Sequence, residues 1–137
     1  HPHTLQVDIE ACATCHVGVE TVEDLRDIRM EGSLMDYDGD GDVEEGIYYE
    51  LVGIKDTLYA NIQAYAAEVA ATPIVYSSEA FPYWFIDVNE NGEADADEIN
   101  SGNRFASWTP RLLRAAYNYQ TSKKDPGNYV HGGKYII

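Results

Sequence analysis

Cys12-Ala13-Thr14-Cys15-His16 constrains this chain more than any other stretch of it. Cys12 and Cys15 are its two cysteines, and a bridge between residues three apart would close a tiny, strained loop. C-x-x-C followed at once by histidine is instead the attachment signature of a c-type haem. One turn of chain presents both thiols to the two vinyl groups of a haem, forming thioethers. The adjacent histidine then lies under the iron as proximal ligand. A redox C-x-x-C normally opens a helix in a βαβ setting, and no such pattern is visible. A zinc site needs a second ligand pair, which no further cysteine supplies. The expectation is one haem c on Cys12 and Cys15, with His16 on its iron.

The 137 residues suit one domain, expected to span 1–137 around a modest core. Nine Lys+Arg against 24 Asp+Glu give a net charge of −15. That sign argues against nucleic acid, whose phosphates need a cationic face, and against an anionic membrane surface. The longest apolar run, 80–86, is far short of the ~20 residues that span a bilayer. The chain opens at His1 without a signal-peptide pattern, so it reads as a mature, processed protein or as a piece of a longer one.

Half of the 24 acids sit in two short stretches. Asp87-Val88-Asn89-Glu90-Asn91-Gly92-Glu93-Ala94-Asp95-Ala96-Asp97-Glu98 matches the calcium loop D-x-[DN]-x-[DN]-G-x5-E in full. Calcium takes six to eight hard oxygens. Asp87, Asn89 and Asn91 would supply side chains and Glu93 its carbonyl. Asp95 would add a direct or water-bridged oxygen, and Glu98 both carboxylate oxygens. Asp36-Tyr37-Asp38-Gly39-Asp40-Gly41-Asp42 begins the same way, but its twelfth position is Ile47. A shortened loop of Asp36, Asp38, Asp40, Asp42 and Glu45, with Glu44 as alternative to Glu45, is the reading there. Two Ca2+ sites are therefore expected. With two methionines and no helix-loop-helix pair that opens a groove, the ions read as structural and not as sensors.

Thr21 to Met30 carries Val22, Leu25 and Ile28 at helical spacing. From Glu45 to Ala71 the set Ile47, Leu51, Ile54, Leu58, Ile62, Tyr65, Val69 steps by three and four, which predicts the main helix. Thr72-Pro73 ends it. Residues 74–86, aromatic and β-branched, predict a buried loop or a short strand. Thr109-Pro110 starts a last helix, Arg111 to Lys123, and Asp125-Pro126-Gly127 stops it. The fold class expected is mostly α: a small haem-containing domain with few helices and long calcium-binding loops.

For the sixth iron ligand the residues alone leave His1, His3, His131, Met30 and Met35 open. A second histidine lowers the reduction potential and a methionine raises it. Met30, on the apolar side of the short helix, reads better as core filler. Trp84 and Trp108 are the expected large walls of the haem pocket. Arg111, Arg114, Lys123 and Lys124 are a cationic cluster placed to pair with propionates or to compensate a helix dipole.

The segments Arg111–Gln120, Lys124-Asp125-Pro126-Gly127 and Val130-His131-Gly132-Gly133-Lys134-Tyr135 resemble the C-terminal part of bacterial multihaem c-type cytochromes. His1-Pro2-His3, with Val7-Asp8 before the cysteine motif, is similar to the approach to their haem sites. The resemblance covers the first sixteen residues and the last thirty, and this chain has one haem motif where the group usually has several. It implies electron transfer by a bis-histidine haem outside the cytoplasm, periplasmic or extracellular. His131 is favoured as distal ligand and His3 comes next. His1 or His3 would be free to ligate a neighbouring haem. Implied partners are redox proteins or neighbouring haem modules, with assembly into a homo-oligomer or filament. An electron-transfer protein and not an enzyme is expected. The competing readings are a peroxidase- or reductase-type haem enzyme with an open sixth position, and a calcium-stiffened assembly module.

Overall fold

Ile47, Leu51, Ile54, Leu58, Ile62 and Tyr65 fall on one helix, α3 (Ile47–Glu68), in the computed structural model, which describes residues 6–131. The helix begins where Ile28 offers its carbonyl to the Ile47 N–H at 3.1 Å. It ends by a wrap in which the Thr72 N–H reaches back to the Ala66 carbonyl. Ala71 takes the left-handed conformation there, with φ 53°, a position more often given to glycine. Pro73 follows and cannot continue the helix.

Two short helices precede α3. In α1 (Ile9–Ala13) the Asp8 carboxylate caps the N–H groups of Glu10 and Ala11. In α2 (Val22–Arg26) Thr21 and Asp24 exchange side-chain-to-backbone bonds as a capping box. The Glu20 N–H, which also donates to Asp24, and then the bonds with Thr21 hold the Asp24 carboxyl below its ordinary range. Thr21→Ala is expected to cost about 1 kcal/mol, read as a lowered thermal midpoint with an unchanged far-UV spectrum. The helix expected over 21–30 stops at Arg26, after which the Ile28 N–H tightens onto the Leu25 carbonyl and the Ile28 carbonyl receives the Ile47 N–H of α3.

After α3 come β1 (Ile74–Tyr76) and β2 (Trp84–Ile86), antiparallel with Ile74 opposite Ile86, Val75 opposite Phe85 and Tyr76 opposite Trp84. A 3-10 turn, Ser101–Asn103, is capped by Asn100. The last helix, α4 (Pro110–Lys124), starts with the Leu112 N–H on Thr109 Oγ1. The expectation of a mostly α domain is not met. The four α-helices cover well under half of the described residues, and a two-stranded sheet stands beside them. β-Branched and aromatic residues at 74–76 and 84–86 pair as strands, and the Gly- and Asp-rich stretches hold their backbone in turns.

The chain forms two compact units. Of the described residues the first takes 6–57 and 118–131; Leu25, Leu51 and Tyr129 are its buried centre, with Ile9, Cys12, Ile28, Ile47, Tyr48 and Val130 packed on them. Fully burying one such leucine stabilises by about 1.5–3 kcal/mol. The second unit, residues 58–117, buries Ile62, Ala66, Ile74, Val75, Trp84, Phe85, Phe105, Leu112 and Ala116.

Candidate functional site

Helix α1 sets the cysteine motif. After its cap, the Cys15 and His16 N–H groups both fold back onto the Cys12 carbonyl, at 3.1 and 2.9 Å. The two thiols and the imidazole are thereby carried on one continuous turn. Both thiols are free, Cys12 half-buried against the core and Cys15 exposed.

The chain after α4 approaches from the other side. Asp125 caps the Gly127 N–H, as an Asp-Pro-Gly turn allows. Asn128, only 4% exposed, donates from Nδ2 to the Ser122 carbonyl at 2.6 Å and accepts at Oδ1 from Lys55 Nζ at 3.4 Å. That anchor drives Tyr129 into the core and leaves Val130 and His131 facing the cysteine turn. The His16 and His131 rings lie 6.1 Å apart, centroid to centroid, inclined by 30°.

Between them is a mainly apolar cavity of about 830 Å³. Cys12, Cys15, His16 and His131 line it with Leu25, Ile28, Ile47, Tyr129 and Val130, and Arg29, Met30, Glu31, Ser33 and Tyr37 complete the wall. Its volume lies within the roughly 300–1,000 Å³ of cofactor pockets. The Tyr129 hydroxyl is buried without a hydrogen-bond partner, and desolvation pushes its acidity weaker than usual.

Several expectations about the pocket change. Trp84 and Trp108 do not line the cavity; they belong to the second unit, where their rings meet edge to face at 6.3 Å. Arg111, Arg114, Lys123 and Lys124 do not line it either, whereas Arg29 does. Met30 is no core filler: it is 66% exposed at the cavity wall, beyond the end of α2. Met35 is exposed as well. His1 and His3 lie outside the described residues.

The first acidic loop gathers Asp36, Asp38 and Asp40 in one group, and Asp38 with Glu45 and Glu50 in another, ligand oxygens lying within 4.8 Å in each. Asp42 is in neither; its carboxylate caps the Glu44 and Glu45 N–H groups. Desolvation first, and neighbouring carboxylates after it, push the Asp38 and Glu45 carboxyls up. One buried oxygen of Glu45, Oε1, has no hydrogen-bond partner. Glu50 is the residue that sequence reading missed. Fully buried in the first turn of α3, it accepts the Tyr37 and Asp38 N–H groups at 2.6 and 3.2 Å. A side chain at Gly53 would overlap the Asp38 carboxylate, and this glycine inside a long helix was the signal available in the sequence.

The second loop leaves β2 directly. Asp87, 5% exposed, accepts the Asn91 and Gly92 N–H groups, and Gly92 takes the left-handed turn at φ 82°. Glu98 Oε1 accepts the Val88 and Asn89 N–H groups at 2.7 and 3.2 Å, so Glu98 stands to this loop as Glu50 does to the first. Glu98 is 4% exposed, and its Oε2 is buried with no hydrogen-bond partner. Asn89 and Asn91 both direct Nδ2 to Asp95 at 2.8 Å, and the Gly92 carbonyl accepts from Gln63 of α3. The Glu93 N–H donates to Asn91 Oδ1.

No family model matches the chain, and no solved structure matches it. Among curated proteins it is 27% identical over 134 aligned residues, 92% of its length, to the C-type polyheme cytochrome OmcB of Geobacter sulfurreducens. It is 28% identical over 133 residues, 91% of its length, to the C-type polyheme cytochrome OmcC of the same organism. The chain spans only 15% and 14% of the lengths of those two relatives. No helix among the described residues is long and apolar enough to cross a membrane. The similarity is distant but runs over most of the chain, and it is to multihaem c-type cytochromes.

Proposed function

We propose that this chain is an electron-transfer module holding one haem c, with Cys12 and Cys15 as thioether anchors, His16 as proximal ligand and His131 as distal ligand. The observation that carries the reading is the pair of imidazoles 6.1 Å apart across the cavity that both cysteines line. Two imidazoles on opposite sides of one metal, each bonded at about 2 Å with its ring centre about 1 Å further on, stand about 6 Å apart. The haem supplies one-electron chemistry; the chain supplies attachment, ligation and an apolar enclosure.

His131 in the distal place leaves no open coordination position for a substrate. The reading is therefore an electron carrier and not a peroxidase or reductase. As the relatives are polyheme proteins, its partners are redox proteins or neighbouring haem modules, the latter meeting it as a homo-oligomer, a filament or successive parts of one chain. Its place is outside the cytoplasm, periplasmic or extracellular.

Two calcium ions stiffen the module. Asp36, Asp38, Asp40, Glu45 and Glu50 hold the first, with Asp42 shaping the turn. Asp87, Asn89, Asn91, Glu93, Asp95 and Glu98 hold the second. Support comes from buried carboxylate oxygens without partners at Glu45 and Glu98, since a buried charge left unpaired is costly. All donors are hard oxygens, as calcium prefers.

The test is the visible spectrum of the purified protein, oxidised and reduced, with the mass of the denatured chain. Haem that stays with the denatured chain and a low-spin spectrum lacking the sulfur-to-iron band are expected. That band would assign the distal place to Met30 or Met35 and sink the bis-histidine reading.

A further inference from the structure

Arg29 is the one Lys or Arg side chain lining the cavity among the described residues. Its side chain is 11% exposed, and its guanidinium is held on every edge. Nε donates to the Ser33 carbonyl at 3.1 Å, Nη1 to the Glu45 carbonyl at 2.8 Å, and Nη2 to the Met35 carbonyl. Nη1 also pairs with Glu50 Oε1 at 2.6 Å, and Glu50 is wholly buried. A flexible lysine would be a movable point charge, whereas this planar fork is fixed by three carbonyls and one carboxylate.

We infer that the Arg29–Glu50 ion pair, with Arg29 in the wall of the cavity and Glu50 buried behind it, sets the reduction potential of the iron held there, Arg29 acting as the positioning residue that stabilises the reduced state. The inference rests on the haem reading above. Reduction adds one electron beside a mainly apolar wall, where a fixed charge acts more strongly than in water. A cation in the wall favours the electron-rich state, and a carboxylate opposes it. Glu50 tempers Arg29 and keeps its buried charge affordable by pairing with it. The pair thus offers two handles of opposite sign, Arg29 at the cavity and Glu50 acting from behind it, while the axial ligands stay untouched.

The test is a redox titration followed by visible absorption on wild type, R29Q, R29K and E50Q. All four are measured in chelator, so that ion loading does not differ between them. In R29Q the oxidised state should gain at least tenfold over the reduced, about 59 mV downward for one electron. R29K keeps the charge and should stay closer to wild type than R29Q. E50Q should move upward. Where R29Q does not take up haem, the sign in E50Q decides: a potential equal to or below wild type overturns the inference. An R29K shift as large as that of R29Q, or shifts of one sign in R29Q and E50Q, also overturn it. If the wild type itself carries no covalent haem, the failure lies with the haem reading and not with the ion pair.

Discussion

Substituting His131, the proposed distal ligand, should open the iron, so that the reduced protein takes carbon monoxide while the haem remains covalently attached. Glycine is the better replacement than alanine. His131 sits at φ 48°, a left-handed conformation that costs an L residue roughly 1–2 kcal/mol and costs glycine nothing. The side chain is exposed, so H131G removes the proposed ligand without emptying a packed core. The anchor of the segment, Asn128 on the Ser122 carbonyl, is left in place. H131G should change from low-spin to high-spin in the absence of added ligand, and free imidazole should restore the low-spin spectrum. Carbon monoxide binding should rise from negligible to stoichiometric. A low-spin spectrum that persists in H131G without imidazole would give the distal place to another residue, His1 and His3 among them. M30L, at the exposed cavity wall, should leave the spectrum as it is.

What the sequence carried and what it did not divide along a physical line. The cysteine turn, the α3 periodicity, the Thr109 cap of α4 and the second acidic loop are local patterns, each complete within one or two dozen residues. They were readable because hydrogen bonds between near neighbours make them. Glu50 and Arg29 were not, because their meaning lies in each other, 21 positions apart, and in the 33–45 backbone between them. In sequence, Glu50 is one acid on an amphipathic helix; in the fold it is buried and closes the first loop. Asn128 is likewise a loop asparagine until Ser122 and Lys55 show that it aims His131. The mostly α expectation failed at the aromatic stretch 74–86, where burial pattern alone does not separate a strand from a loop. The two tryptophans stand outside the cavity because large rings fill ordinary cores as readily as cofactor pockets: Trp84 is buried in the second unit and half-buried Trp108 packs edge-on against it.

Calcium should raise the thermal midpoint of this protein, and E98Q should remove the part of that gain due to the second loop. Glu98 Oε2 is buried and bonded to nothing, while Oε1 ties the loop together through Val88 and Asn89. In the absence of a cation that arrangement leaves a carboxylate desolvated for no return. With calcium bound, the same oxygen becomes a ligand and the loss becomes a gain. At calcium one hundred times its dissociation constant, one site contributes about 2.7 kcal/mol, or roughly 10 °C for a chain of this size. Replacing the carboxylate with an amide therefore has opposite effects in the two conditions. In excess calcium, E98Q should melt well below wild type. In chelator it should melt at or slightly above wild type, because an uncharged amide is cheaper to bury. Asp87, Asn89 and Glu98 line no part of the cavity, so neither condition should move the haem spectrum while the fold holds. Equal destabilisation by E98Q with and without calcium would mean that Glu98 serves the loop only as a hydrogen-bond acceptor and holds no ion.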